Sequence, residues 1–125
     1  MLEEIVVAVD DRPGILAEMG ELLGRQEVNI ATLAASTING QGIVHLVVDD
    51  GDDAAAILKE NGFDVQGSRE VISTTIDDRP GEFGRYCRRL EAAGVTIHAA
   101  YVARRDAGET EFILAVDDLE TARTA

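Results

Sequence analysis

The chain of 125 residues has no tryptophan, one cysteine, two prolines and a single lysine, Lys59. With Cys87 alone, no disulfide can form within the chain, and a reducing compartment is its natural setting. Aromatic residues are 4% of the chain against 46% hydrophobic residues in all, so the core has to be packed from Ala, Val, Ile and Leu rather than from rings. No apolar run approaches the ~18 residues that cross a bilayer. Met1-Leu2-Glu3-Glu4 also lacks a basic stretch ahead of a hydrophobic one, which argues against a signal peptide and for a cytoplasmic protein. Positive charge is scarce as well: 11 basic residues face 24 acidic ones, a net charge of −13. A field of that sign repels nucleic-acid phosphate and anionic lipid, so neither nucleic acid nor membrane is expected as a partner. The excess has two readings: an ordinary acidic, soluble protein, or a surface suited to concentrated salt. In the second, Asp and Glu hold water, Lys is avoided, and the fold weakens by self-repulsion when salt is removed.

What the chain does have is a repeat. Asp10-Asp11-Arg12-Pro13-Gly14 returns as Asp77-Asp78-Arg79-Pro80-Gly81, an offset of 67 residues (78 − 11). The same offset pairs Ile5 with Ile72, Leu16 with Phe83, Met19 with Tyr86, Leu23 with Leu90 and Ile30 with Ile97. These positions are apolar at strand and helix spacings, so the repeat is one of fold. It grows by one residue in a turn, since Val48-Asp49 aligns with Val116-Asp117. Units of about 60 residues bury only ~60% of their unfolded surface, so such units are expected to lean on a neighbour.

In chain order, residues 4–9 form a β-branched strand, and the Asp-Asp-Arg-Pro-Gly turn stops it. Pro13 suits the first position of a helix, where no N–H is needed, and the pattern predicts an amphipathic helix over 13–26. A strand over 28–37, a turn at 39–42 and a strand over 43–48 follow. Asp49 to Asp53 reads as an acidic loop capping a helix over 54–61, which Gly62 ends, and a short strand covers 63–66. The second copy gives a strand over 70–76, a helix over 80–93, strands over 96–104 and 109–116, and the start of a helix. The expected class is α+β: two ferredoxin-like βαββαβ units in tandem, 1–67 and 68–125, with antiparallel sheets, helices on one face and the last strand of the second unit missing. The open edge this leaves, and the apolar runs 5–9 and 112–116, predict a homo-oligomer, a dimer by edge pairing or sheet-face packing. The alternative is a monomer whose repeats cover each other.

Chemistry-bearing residues are few. Gly14 and Gly81 let a ligand approach backbone closely, and the helix starts after them present N–H groups to an anion such as a carboxylate. Asp11 and Asp78 attract an ammonium group, or else bond the N–H groups of their own turn. Arg12 and Arg79 either hold a ligand carboxylate or pair with a neighbouring Asp. His45 and His98 are isolated and read as structural, and Cys87 reads as a small buried hydrophobe, so no metal or cofactor is called for. Tyr101 could line a pocket or a dimer seam. Arg85, Arg88 and Arg89 form either a solvated helix face or a docking patch for an acidic partner. No nucleophile-base pair, phosphate loop or carboxylate pair is present, which argues against an enzyme.

The Asp-Arg-Pro-Gly turn between strand and Leu-rich helix, the Val28-Asn29-Ile30 start of the next strand and the Val-Asp end of the one after resemble the ACT domain, a small amino-acid-sensing module. The resemblance covers the whole chain as two units in tandem. It implies an amino acid bound where the turn of one unit faces the second-strand start of its neighbour. Carried over by position, the ligand-binding residues are Asp11, Arg12, Gly14, Ile15, Asn29 and Ile30 in the first copy. In the second they are Asp78, Arg79, Gly81, Glu82, Thr96 and Ile97, and Thr96 departs from the Asn usual there. The resemblance further implies a regulator of a separate amino-acid biosynthetic enzyme, homoserine dehydrogenase being one candidate. Alternatives are a transcription regulator acting through a partner, and an interaction scaffold.

Overall fold

The computed structural model of the chain describes residues 1–49 and 51–125. Asp50, part of the acidic stretch read as a helix cap, lies outside the described residues, as do the side chains of residues 51 and 52. The chain divides into two compact units, Met1–Glu70 and Val71–Ala125. The first runs β1 (Glu3–Asp10), α1 (Ile15–Arg25), β2 (Ile30–Ile38), β3 (Gln41–Val48), α2 (Gly51–Glu60) and β4 (Asp64–Glu70). The second runs β5 (Ile72–Asp77), α3 (Glu82–Ala92), β6 (Ile97–Asp106), β7 (Glu109–Val116) and α4 (Leu119–Thr124). Sheet order is β2-β3-β1-β4 in the first unit and β5-β7-β6 in the second, with every ladder antiparallel. The α+β class and the ferredoxin-like units are as the patterning implied.

Period-two alternation on β1 sends Ile5, Val7 and Val9 toward the helices. There they pack with Met19, Leu22 and Leu23 of α1, Leu46 and Val48 of β3, and Ala54 and Leu58 of α2. The smaller core of the second unit joins Ile72, Leu114 and Val116 to Tyr86 and Leu90 of α3, Val95 and Ala122. Burying each large aliphatic side chain contributes about 1.5–3 kcal/mol, which is what holds such short helices on their sheets.

α2 begins at Gly51, inside the stretch read as a loop, β5 begins at Ile72 rather than residue 70, and β6 runs to Asp106 rather than 104. Three further boundaries differ from the sequence reading. The first hairpin turns on Asn39 and Gly40 alone, both at positive φ (52° and 80°), while Gln41 and Gly42 already belong to β3. Two left-handed residues in a row make the turn type whose twist matches paired strands, and Ala107-Gly108 repeats it at 52° and 78°. The last strand of the first unit runs to Glu70 rather than stopping at Gln66, because β1 goes on pairing with it past a register shift at Gln66, to Glu3 opposite Glu70. Its polar sequence gave no apolar signal to extend the assignment. The third boundary, at the helix starts, belongs to the site.

Candidate ligand site

Neither long helix begins at its proline. Gly14 takes φ 86° and Gly81 φ 89°, each as the residue capping its helix, so α1 opens at Ile15 and α3 at Glu82 while Pro13 and Pro80 sit in the turn ahead. Left-handed backbone is strained for any residue with a Cβ, so glycine is demanded by conformation as well as by access. Space in front of Gly14 is open, with no atom within 4 Å of where a Cβ would stand. No side chain caps either helix, in contrast to α4, where the Asp118 carboxylate accepts from the Thr121 N–H at 3.0 Å. A bond from the Thr121 hydroxyl, and after it that N–H bond, hold Asp118 below its ordinary carboxylate value. No side chain takes the first-turn N–H groups of α1 and α3; those of Ile15 and Glu82 donate instead to the Arg12 and Arg79 carbonyls, at 3.4 and 3.2 Å.

Around the first turn, Arg12 makes a two-point contact with Glu18, at 3.1 and 2.7 Å, rather than with a neighbouring Asp. The contact raises the Arg12 value and lowers that of Glu18. Asp11 is exposed and bonds no side chain or turn N–H among the described residues. In the second turn Arg79 does contact a neighbouring Asp, Asp77 at 3.1 Å, and also Glu82 at 3.5 Å. Asp78 accepts from Arg105 at 3.0 Å. Ile15 packs against the first core, and Glu82 also receives Arg85.

Asn29 and Ile30 are not near this turn. Asp10 faces Gln41 at one end of the β1–β3 ladder, whereas Ile30 faces Val48 at the other. Seven residue steps along β3 separate the two ends by about 23 Å. The second unit repeats this, with Asp77 opposite Glu109 and Ile97 opposite Val116. Each unit therefore brings its turn residues together, and its strand-start residues together, but not the two groups to one place. Asn29 is exposed and lines a cavity of about 490 Å³ with Glu27, Asp49, Asp53 and Glu60. Thr96 differs, since its N–H donates to the Asp117 carboxylate at 2.9 Å and its carbonyl accepts from the Asp117 N–H at 3.1 Å.

A second cavity, of about 260 Å³, opens beside the first turn; Asp11, Ile15, Leu16, Ala35, Thr37 and Val44 are among its walls. Sequence reading passed over it, because its walls meet only through the β2–β3 register. It also missed Glu4, which is fully buried with its carboxylate 2.6 Å from Arg69 Nε and 3.3 Å from His45 Nδ1. Arg69 lies 65 residues away in sequence, so no local pattern announces the pair. His45 is thus placed in a polar contact inside the sheet, as a structural histidine. Cys87 is half-buried, and that burial pushes its thiol above the ordinary value, which leaves it a poor nucleophile. The arginine cluster of α3 is engaged locally: Arg85 with Glu82, Arg88 with Glu91, and Arg89 over the Tyr86 ring at 5.2 Å. Among the described residues no three His, Cys, Asp or Glu are placed to hold a metal ion, and no helix is long and apolar enough to cross a membrane.

Comparison with known proteins bears on the fold and the family. No curated protein sequence matches the chain. Protein BT0572 from Bacteroides thetaiotaomicron superposes with a TM-score of 0.84 at 22% identity, over 98% of this chain and 83% of that one. The ligand-free regulatory subunit of aspartate kinase from Thermus thermophilus gives 0.75 at 14% identity, over 98% and 86%. The regulatory subunit of aspartate kinase from Thermus flavus gives 0.72 at 14%, over 97% and 87%. At these identities the likeness is one of fold, extended over both units. Residues 5–61 match the family described as the AHAS small subunit-like ACT domain. The first unit thus matches an ACT-domain family model over most of its length, and the likeness to solved structures extends the same fold over the second unit.

Proposed function

We propose that this chain is an amino-acid-binding regulatory protein, without catalysis of its own, whose site is completed by a second copy and which acts on a separate amino-acid biosynthetic enzyme. The observation that carries the reading is the separation of the Asp11–Gly14 turn from Asn29, with β2 as the sheet edge between them. From Leu33 to Ile38 every residue of that edge is exposed, including Leu33 at 46% and Ile38 at 64%. An exposed, partly apolar edge is a template for another strand. If two β2 strands pair antiparallel about a two-fold axis, the start of one meets the end of the other. Asn29 of one copy then arrives at the end of the joined sheet that holds the partner copy's turn. There the uncapped N–H groups of α1 suit the ligand carboxylate, Asp11 suits its ammonium, and the Asn29 amide supplies a donor and an acceptor.

Regulation follows by linkage: a ligand that binds the paired arrangement better than the separated one shifts the population by that difference in affinity. The likeness to aspartate kinase regulatory subunits supports a partner among amino-acid biosynthetic enzymes, with homoserine dehydrogenase as one candidate. The acidic surface suits concentrated salt, so the test is run there. In a thermal-shift screen of the twenty amino acids in molar salt, a ligand at 100 times its Kd adds ~2.7 kcal/mol and raises the midpoint by several degrees. Asn29→Ala abolishes that shift with the fold intact, whereas Thr96→Ala matters less. Twenty blanks from a folded protein overturn the reading in favour of a scaffold.

A further inference from the structure

The ladders put the two repeats in register at the cavity beside the first turn. Ala35 faces Val44 and Thr37 faces Gly42 on the β2–β3 pair, as Val102 faces Phe112 and Arg105 faces Thr110 on the β6–β7 pair. Leu16 and Phe83 are counterparts at the helix starts, by the 67-residue offset. Where the first repeat has the space bounded by Leu16 and Val44, the second has the rings of Phe83 and Phe112 stacked with centroids 4.6 Å apart. Where the first has Thr37 beside an Asp11 with no bonding partner among the described residues, the second has Arg105 on Asp78 at 3.0 Å. The second repeat thus fills its own site twice over, with an apolar body in the wall and a cation on the turn carboxylate.

We propose that Phe83, Phe112 and Arg105 act as a built-in stand-in that closes the second repeat, and that the first repeat's cavity takes the molecule they imitate. That molecule is an α-amino acid with an apolar side chain, its ammonium on Asp11 and its side chain between Leu16, Ala35 and Val44. The chain then binds one ligand, not two. Apolar atoms gain from leaving water for this wall, and a carboxylate that meets a cation gains a charge-assisted bond, so the two halves of such a ligand are recognised by separate features of the cavity. The inference rests on the amino-acid-binding reading above and narrows it to one repeat and one ligand class.

The test is titration calorimetry in molar salt with L-leucine as probe and N-acetyl-L-leucine, which lacks the ammonium, as control. The parent chain is expected to bind one L-leucine per chain and the control at least tenfold more weakly. Thr37→Arg, an exposed change that copies Arg105 without touching the core, weakens L-leucine at least tenfold; Leu16→Phe, also on an exposed position, weakens it as well. The triple change Phe83→Leu, Phe112→Val and Arg105→Thr opens the second repeat and raises the count to two. Binding of two equivalents by the parent, or full L-leucine binding by Thr37→Arg and Leu16→Phe, overturns the inference while leaving an amino-acid regulator intact. A folded parent that binds none of the twenty amino acids removes the broader reading as well, and a parent that binds only polar ones overturns the ligand class alone. A triple variant that is folded by circular dichroism yet still binds one overturns the stand-in.

Discussion

The two repeats place Gly14 and Gly81 at φ 86° and 89° on matching turns, yet around those turns almost every polar partnership differs. Arg12 reaches Glu18, while Arg79 reaches Asp77 and Glu82; Asp11 bonds no other described residue, while Asp78 holds Arg105. Backbone is copied because the turn type and helix start depend on glycine stereochemistry and on the apolar positions beneath, which both copies keep. Side chains above the backbone answer only to the site. A motif that recurs therefore certifies the frame twice and the function at most once, since function lives in the groups carried on the frame.

The comparison breaks first in the cores. Leu23 and Leu90 are counterparts and both fully buried, and Leu→Ala at such positions costs about 2–5 kcal/mol. Leu23→Ala is expected toward the upper end, because its cluster is the larger and is closed by two full helices, and Leu90→Ala toward the lower. Urea unfolding of the two variants gives the order; the reverse order means that the second core is the tighter one. Next come the turns. Gly14→Ala and Gly81→Ala each force a Cβ into left-handed backbone, at about 1–2 kcal/mol. Thermal midpoints should fall equally, but only Gly14→Ala should also reduce ligand binding.

Much of this frame was legible in the sequence. The repeated pentapeptide and the 67-residue offset located each element in order, since β-branched runs and one-sided helices carry their own periodicity. What escaped was what depends on partners distant in sequence. Pro13 looked like a helix start because nothing local reveals that Gly14 turns left-handed. Residues 67–70 carry no apolar pattern, and they are strand only because β1 pairs with them. Asp11 and Asn29 were expected to meet across neighbouring units, and the β-ladders, which local patterning does not reveal, set them at opposite ends of one sheet. The plug in the second repeat was visible only as Leu16 opposite Phe83 in the alignment, and its meaning needs the pairing of Val102 with Phe112.

Smaller effects sharpen the comparison at the hairpins. Ala107 holds φ 52° where the first repeat has Asn39 at the same angle, and Asn tolerates that region better. Ala107→Asn should therefore stabilise the chain by about 1 kcal/mol, read from denaturant midpoints at constant m-value, whereas Asn39→Ala should do the opposite. The least effect concerns acid. The Arg12 contact lowers the Glu18 value in the folded chain, so its contribution is present above the ordinary carboxylate value and is lost as pH falls through the lowered one. Glu18→Gln should make the acid limb of the stability profile slightly shallower, and more visibly at low salt. Its counterpart Arg85 sits in a different contact, with Glu82, so the second repeat offers no matching change.

The most direct test of a site shared between two copies is complementation. Asp11→Ala and Asn29→Ala each abolish binding alone. In a two-fold dimer formed from an equal mixture, half the dimers are mixed and each of those regains one intact site, so the refolded mixture should recover about a quarter of the parent's binding sites. Recovery at that level establishes that the turn of one copy and the Asn29 of another act together. A mixture as silent as either variant, with dimers shown to exchange, contradicts the account and returns the site to a single unit.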